Sequence, residues 1–117
     1  MKMKTIVLQS KATEVTFLVG TCAQDNFDAI DISDPDDIWF HVKDFSSCHI
    51  IAKIPTGEKL DKKMIRLIVK QGALLCKQES RYGSTKNLAI IYTKVKNVQK
   101  TDIVGSVIAD PVSTIFI

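Results

Sequence analysis

The chain is poor in the residues that punctuate or staple a fold: of 117 residues only five are Gly, three Pro, three Cys and one Trp. So little Gly and Pro excludes collagen-like and low-complexity architectures. Cys22, Cys48 and Cys76 are odd in number and widely spaced, forming neither a Cys-x-x-Cys clamp nor a paired disulfide framework, and read as reduced packing thiols. Long apolar runs are missing too. The longest stretch without a charged side chain is Val15 to Gln24, ten residues, against the roughly 20 needed to cross a bilayer, so no membrane partner is expected. The basic start Met1-Lys2-Met3-Lys4 is followed by an apolar run that ends at Lys11 with no small-residue cleavage pattern. The expected location is therefore the cytoplasm. No Gly-x-Gly-x-x-Gly, P-loop or Gly-x-Ser-x-Gly string occurs, which leaves no glycine cradle for a nucleotide and no nucleophile elbow. The Asp25, Asp28, Asp31, Asp34 series lacks the central Gly and terminal Glu of an EF-hand and reads as solvated carboxylates. Neither cofactor nor metal is expected.

What is present describes one globular domain spanning residues 1–117, with 45% hydrophobic and 25% charged residues. Net charge is only +3, but its distribution is uneven. Residues 1–60 carry six Lys against nine acids, whereas residues 61–117 carry ten Lys and Arg against four. Between Lys62 and Lys100, Glu79 is the sole acid. Such asymmetry suggests a polyanion partner.

Alternation predicts a hairpin from strands at Lys4 to Gln9 and Glu14 to Gly20, then a loop over the Asp-rich residues 25–37. Strands at Ile38 to Lys43 and Cys48 to Ile54 flank the loop Asp44-Phe45-Ser46-Ser47, and Pro55-Thr56-Gly57 ends that unit. Asp61 is the expected N-cap of a helix reaching about Ser80, with Ile65, Ile68, Val69, Gly72, Leu75 and Cys76 inward. Gly72 suggests close approach of the helix to a sheet. Lys63, Arg66, Lys70 and Lys77 form a basic ridge on the opposite side, bordered by Leu67 and Leu74. A fifth strand is expected from Leu88 to about Lys96, with Leu88, Ile90, Tyr92, Lys94 and Lys96 on one face, and two more near Ile103 to Ala109 and Val112 to Ile117. The expected fold is α+β, an antiparallel-rich mixed sheet packed on one long helix.

The sharpest local string is Asp37-Ile38-Trp39-Phe40-His41-Val42-Lys43, followed by Ser47-Cys48-His49-Ile50-Ile51 and by Tyr92-Thr93-Lys94-Val95-Lys96-Asn97-Val98-Gln99-Lys100. In these motifs and their order the chain resembles the NFACT-R module, the RNA-binding domain of NFACT proteins that act in ribosome-associated quality control. The resemblance extends over almost the whole chain, as a stand-alone copy of the module. It departs at Thr21, Cys22 and Asp25-Asn26-Phe27, where the family usually places an Arg after the glycine and a Gln-Asn-Asp-like string. It implies recognition of tRNA or rRNA, including on the large ribosomal subunit, or translation-linked RNA processing.

Strand alternation puts Trp39, His41 and Lys43 on one face, where a ring, an imidazole and an ammonium can stack a base and neutralise a phosphate. Arg81, Lys94, Lys96 and Lys100 are expected to grip phosphates, with Tyr92 stacking, Asn97 reading a base edge and His49 completing a polar patch. If the third and fourth strands pair through the four-residue loop, His41 faces Ile50 and Val42 faces His49, pointing the imidazoles to opposite faces; a one-residue slip reunites them. The expected activity is non-catalytic RNA binding. The alternatives are a small RNA-processing enzyme using Asp37, His41 and His49, and a protein-interaction module docking through exposed Leu67 and Leu74.

Overall fold

The apolar alternation of the first residues becomes an antiparallel hairpin. The structure, a computed structural model, describes residues 1–8, 13–55 and 60–117. In chain order the elements are β1 (Lys2–Leu8), β2 (Thr13–Val19), α1 (Ala23–Asp31), β3 (Ile38–Val42), β4 (Ile50–Lys53), α2 (Lys62–Glu79) and β5 (Ala89–Lys94). A 3-10 turn (Val95–Asn97) follows, then β6 (Val98–Lys100), β7 (Val107–Ala109) and β8 (Ser113–Phe116). The turn joining the first hairpin, and Thr56 and Gly57 of the expected break after β4, lie outside the described residues.

Six strands form one sheet in the order β1-β2-β4-β3-β5-β8, with every pairing antiparallel, and β6 with β7 forms a separate ribbon. The α+β architecture with one long helix on an antiparallel sheet is therefore present. Side chains alternate across the sheet. Phe17, Phe40, Ile50 and Ile90 face α2 and pack with Met64, Ile68, Ala73 and Cys76. Leu18, Trp39 and Ile51 point the other way and pack with Ala29 of α1 and with Val95 and Val98. The sheet is thus covered on both faces, α2 on one side, α1 and the β6–β7 ribbon on the other.

α2 begins as its sequence predicts, with the Asp61 side chain accepting the Met64 amide at 2.8 Å. Gly72 is the point of closest approach, because a methyl group there would overlap the Phe40 ring. Four expectations change. The Asp-rich segment is not a loop: residues 23–31 form α1, its first turn tied by the Asp25 carboxylate accepting the Thr21 amide and hydroxyl. Burial of Ala29 and Asn26 against the sheet outweighs the turn preference of Asp and Asn. The β3–β4 register is one residue off the expected one, with Phe40 opposite Ile50 and Trp39 opposite Ile51: the last paired residues enclose the odd-numbered segment 41–49, whereas an even four-residue loop would have paired Lys43 with Cys48. β5 stops at Lys94, so Lys96 sits in the 3-10 turn and leaves the strand face. Leu67 and Leu74 are half-buried rather than exposed, Leu67 packing against the core, which removes the exposed pair on which protein docking was based.

The three cysteines are free, Cys22 exposed, Cys48 half-buried and Cys76 buried. A hydrogen bond between the Cys48 and Cys76 thiols, together with burial, pushes Cys76 far above the usual thiol range. No helix among the described residues is long and apolar enough to cross a membrane.

Candidate functional site

The register slip brings the two imidazoles together. β3 places Trp39 and His41 on the α1 side of the sheet, and the residue before β4, His49, meets them across the strand pair. The Trp39 and His41 rings lie parallel, 4° apart with centroids at 5.7 Å. His49 stands edge-on to both, at 5.4 Å from Trp39 and 5.1 Å from His41. Trp39 Nε1 donates to His49 Nδ1 at 3.2 Å, which leaves the proton of the neutral ring on Nε2. Burial holds His49 at about 3, with the neighbouring His41 adding to the effect, and burial also lowers His41. Both rings are therefore uncharged at neutral pH.

The backbone around His49 is locked by one side chain. Asn26 of α1 accepts the His49 amide through Oδ1 at 3.1 Å, and the His49 carbonyl accepts the Gly20 amide at 3.0 Å. A methyl group at Gly20 would overlap the Asn26 oxygen, so the glycine ending the first hairpin makes room for the residue that positions His49. Asn26 lay in the segment expected to be a loop, and sequence reasoning missed it. The only signal was an Asn six residues after a glycine.

These residues floor a cleft of about 870 Å³. Its walls include Ser46 and Ser47 from the β3–β4 connection, Arg81 beyond α2, and Val104 to Ser106 at the tip of the β6–β7 ribbon. Gly105, with φ +83°, presses that tip onto Ala23, which a methyl group would meet at 2.8 Å. Trp39 is only 2% exposed, so its ring supports the floor and offers no free face for a base. Arg81 is exposed at the rim, and Lys43 and Lys86 are exposed in the segments that follow β3 and α2, outside the cleft lining; none of the three is ion-paired among the described residues.

The other expected site residues lie elsewhere. Tyr92 packs on Phe40 at 6.1 Å on the α2 side of the sheet. With Lys94 and Asn97 it lines a second groove of about 550 Å³ walled by Ile65 and Val69. Asn97 donates to Thr93 Oγ1 at 3.0 Å. Lys94 and Lys96 reach Asp36 at 3.4 and 4.0 Å, and Lys100 reaches Asp31 at 2.6 Å while lying over the Phe27 ring. The ten residues therefore divide between opposite faces of the sheet and do not gather in one site. On the α2 ridge Lys63, Arg66 and Lys70 are exposed, while Lys77 donates to the Ile117 carbonyl.

Asp37 does not join the imidazoles. It is 1% exposed and accepts from the Asp34 and Ile54 amides, each at 2.8 Å, and from Lys53 Nζ at 2.6 Å. That set of bonds ties β3, β4 and the preceding turn together and leaves Asp37 no free oxygen for acid-base work beside His41. Among the described residues no group of three His, Cys, Asp or Glu is placed to hold a metal.

Comparison with known proteins adds three findings. The family described as NFACT protein RNA binding domain matches residues 4–110. Coiled-coil domain-containing protein 25 of Mus musculus is 33% identical over 87 residues, 74% of this chain and 41% of that protein. Its homolog in Dictyostelium discoideum is 35% identical over 78 residues, 66% of this chain and 37% of that protein. The chain thus spans about two fifths of the length of these relatives. The fold is shared with the C-terminal part of the fibronectin/fibrinogen-binding protein from Streptococcus suis, at a TM-score of 0.76 and 17% identity, covering 97% of this chain and 43% of that one.

Proposed function

The chain belongs to the family of NFACT protein RNA-binding domains, and from that premise we propose that it is a single non-catalytic module that binds RNA through the cleft on the α1 side of its sheet. The RNA is tRNA or rRNA, met on the large ribosomal subunit, and the work is ribosome-associated quality control or translation-linked RNA processing in the cytoplasm. What supports this above all is the convergence of Trp39, His41 and His49, the family-like motif residues, on one cleft rimmed by Arg81. Uncharged imidazoles in the floor suit hydrogen bonding and stacking with bases. Arg81 and Lys43, exposed and without an ion pair among the described residues, suit phosphate.

Lys94, Lys96 and Lys100 contribute after exchanging Asp36 and Asp31 for phosphate. Exposed ion pairs of this kind are worth about 0–1 kcal/mol, so the exchange costs little. Tyr92 and Asn97 belong to a secondary contact on the opposite face. Fluorescence anisotropy of labelled tRNA and rRNA fragments, titrated at several salt concentrations, tests the proposal. Log affinity is expected to fall with log salt at about 0.7 per phosphate contact on single strands and 0.9 on duplex. Arg81→Ala combined with Lys43→Ala should reduce that slope by about one to two. Absent or salt-independent binding would overturn the proposal.

A further inference from the structure

We propose that the cleft receives one unpaired nucleobase, which continues the Trp39–His41 stack, so that the protein grips unstacked nucleotides in preference to intact duplex. This rests on the RNA reading above and names the part of the RNA that enters the site.

Along a strand, residues on one face recur about every 6.6 Å, and the rings of Trp39 and His41 use that spacing to stand parallel at 5.7 Å. Trp39 closes one end of the stack, sealed within the second core cluster. His41 is the open end. It is half-buried and lines the cleft, so the part of its ring not covered by Trp39 and His49 faces a space large enough for a nucleotide. A flat aromatic ligand completes such a stack, and every nucleobase supplies one.

The cleft also holds two hydrogen-bond donors that meet no acceptor among the described residues. His49 spends Nδ1 on Trp39, and Asn26 spends Oδ1 on the His49 amide. The His49 Nε2–H and the Asn26 side-chain NH₂ have no acceptor among the described residues. No side-chain nitrogen or oxygen there is both sealed from solvent and unpartnered, so both donors open toward the cleft that their residues line. Two donors beside a stacking surface match the carbonyl and ring-nitrogen acceptors on the edges of guanine, adenine, cytosine and uracil. A duplex stacks those bases out of reach, so the nucleotide must come from a single strand, a loop or a bulge. Arg81 at the rim then meets its phosphate.

The test compares a single-stranded RNA carrying one 2-aminopurine with the same strand annealed into a blunt duplex, both titrated at one ionic strength. The single strand is expected to bind at least about tenfold more tightly and its 2-aminopurine emission to be quenched on binding. Trp39, the sole tryptophan, should change its own fluorescence at the same concentrations. His41→Ala should weaken the single strand about 5- to 100-fold and leave the duplex unchanged, while His41→Phe, which keeps a flat ring, should recover most of the loss. Equal affinity for the two RNAs overturns the base pocket. So does an unaffected His41→Ala protein in which Arg81→Ala weakens both RNAs, although the RNA reading then survives. Failure of every RNA to bind at low salt removes both. If His41→Ala does not fold, the strand comparison on the unsubstituted protein decides alone.

Discussion

Gly20 and Asn26 form a matched pair, because the side-chain oxygen that would collide with any larger residue at 20 is the one that accepts the His49 amide. Gly20→Ala should therefore displace Asn26 and leave a buried donor on His49 without its partner, at a cost of roughly 1–3 kcal/mol. Asn26→Ala removes the same bond without the clash and should fall in the same range. Urea denaturation of both variants measures it, and similar losses would place the effect in the hydrogen bond rather than in overlap. Asp37→Ala orphans two amides and removes the shortest partner of the Lys53 ammonium; Lys53 keeps the Ile32 carbonyl and Asp34 and is partly open to solvent, so the expected loss is about 3 kcal/mol and comes mainly from the amides. The residues of the cleft floor were only half legible beforehand. Trp39, His41 and His49 stand in strings whose residue types advertise a site, but Asn26 acts through a contact 23 residues away that no local pattern announces. The motif residue Asp37 looked like chemistry and is a structural clasp instead, because a carboxylate beside a strand looks the same in sequence whether its oxygens are free or spoken for.

At the level of elements, the period of apolar residues settled what packing alone decides. α2 carries an apolar stripe five turns long with an Asp cap, and both are realised within one or two residues of the expected ends. Asp61→Ala should lower stability by about 1 kcal/mol in the same denaturation assay. Gly72→Ala should cost about 1–3 kcal/mol, since the added methyl must move either α2 or the Phe40 ring. α1 was hidden because Asp and Asn favour turns in isolation. What overrides them is tertiary: Ala29 and Asn26 are buried beneath the sheet face opposite α2, a layer that one-sided reasoning about a single helix does not foresee. The β3–β4 register failed for a related reason. A four-residue loop over 44–47 pairs Lys43 with Cys48, whereas the observed ladder closes with Phe40 opposite Ile50 across the odd-numbered segment 41–49, and in a sheet that one position exchanges the faces. That single residue decides whether the imidazoles are neighbours.

Across the whole molecule, the sheet divides the core into two layers, and the layer on the α1 side buries two neutral imidazoles. Neutrality there has a consequence for stability. Burial keeps His49 at about 3 and lowers His41 from its ordinary 6.5, so between those limits the unfolded chain takes up protons that the folded chain refuses. Stability is then complete above about pH 6.5 and falls as the pH drops toward 3, by about 1.4 kcal/mol per pH unit for each histidine held fully neutral. Glu79, lowered by its bonds to Lys4 and Lys2, acts in the same direction but only near the ordinary carboxylate range, so the interval from pH 6.5 to 5 belongs to the histidines. Urea melts at pH 7, 6 and 5 should show a progressive loss. His49→Gln retains an acceptor for Trp39 Nε1 and cannot titrate; it should flatten the slope over that interval by about 1 kcal/mol per pH unit, even if its stability at pH 7 is lower. An unchanged slope in His49→Gln would mean that the imidazole is solvated enough to take its proton in the folded chain, and the neutral floor on which base recognition relies would then be absent below pH 6.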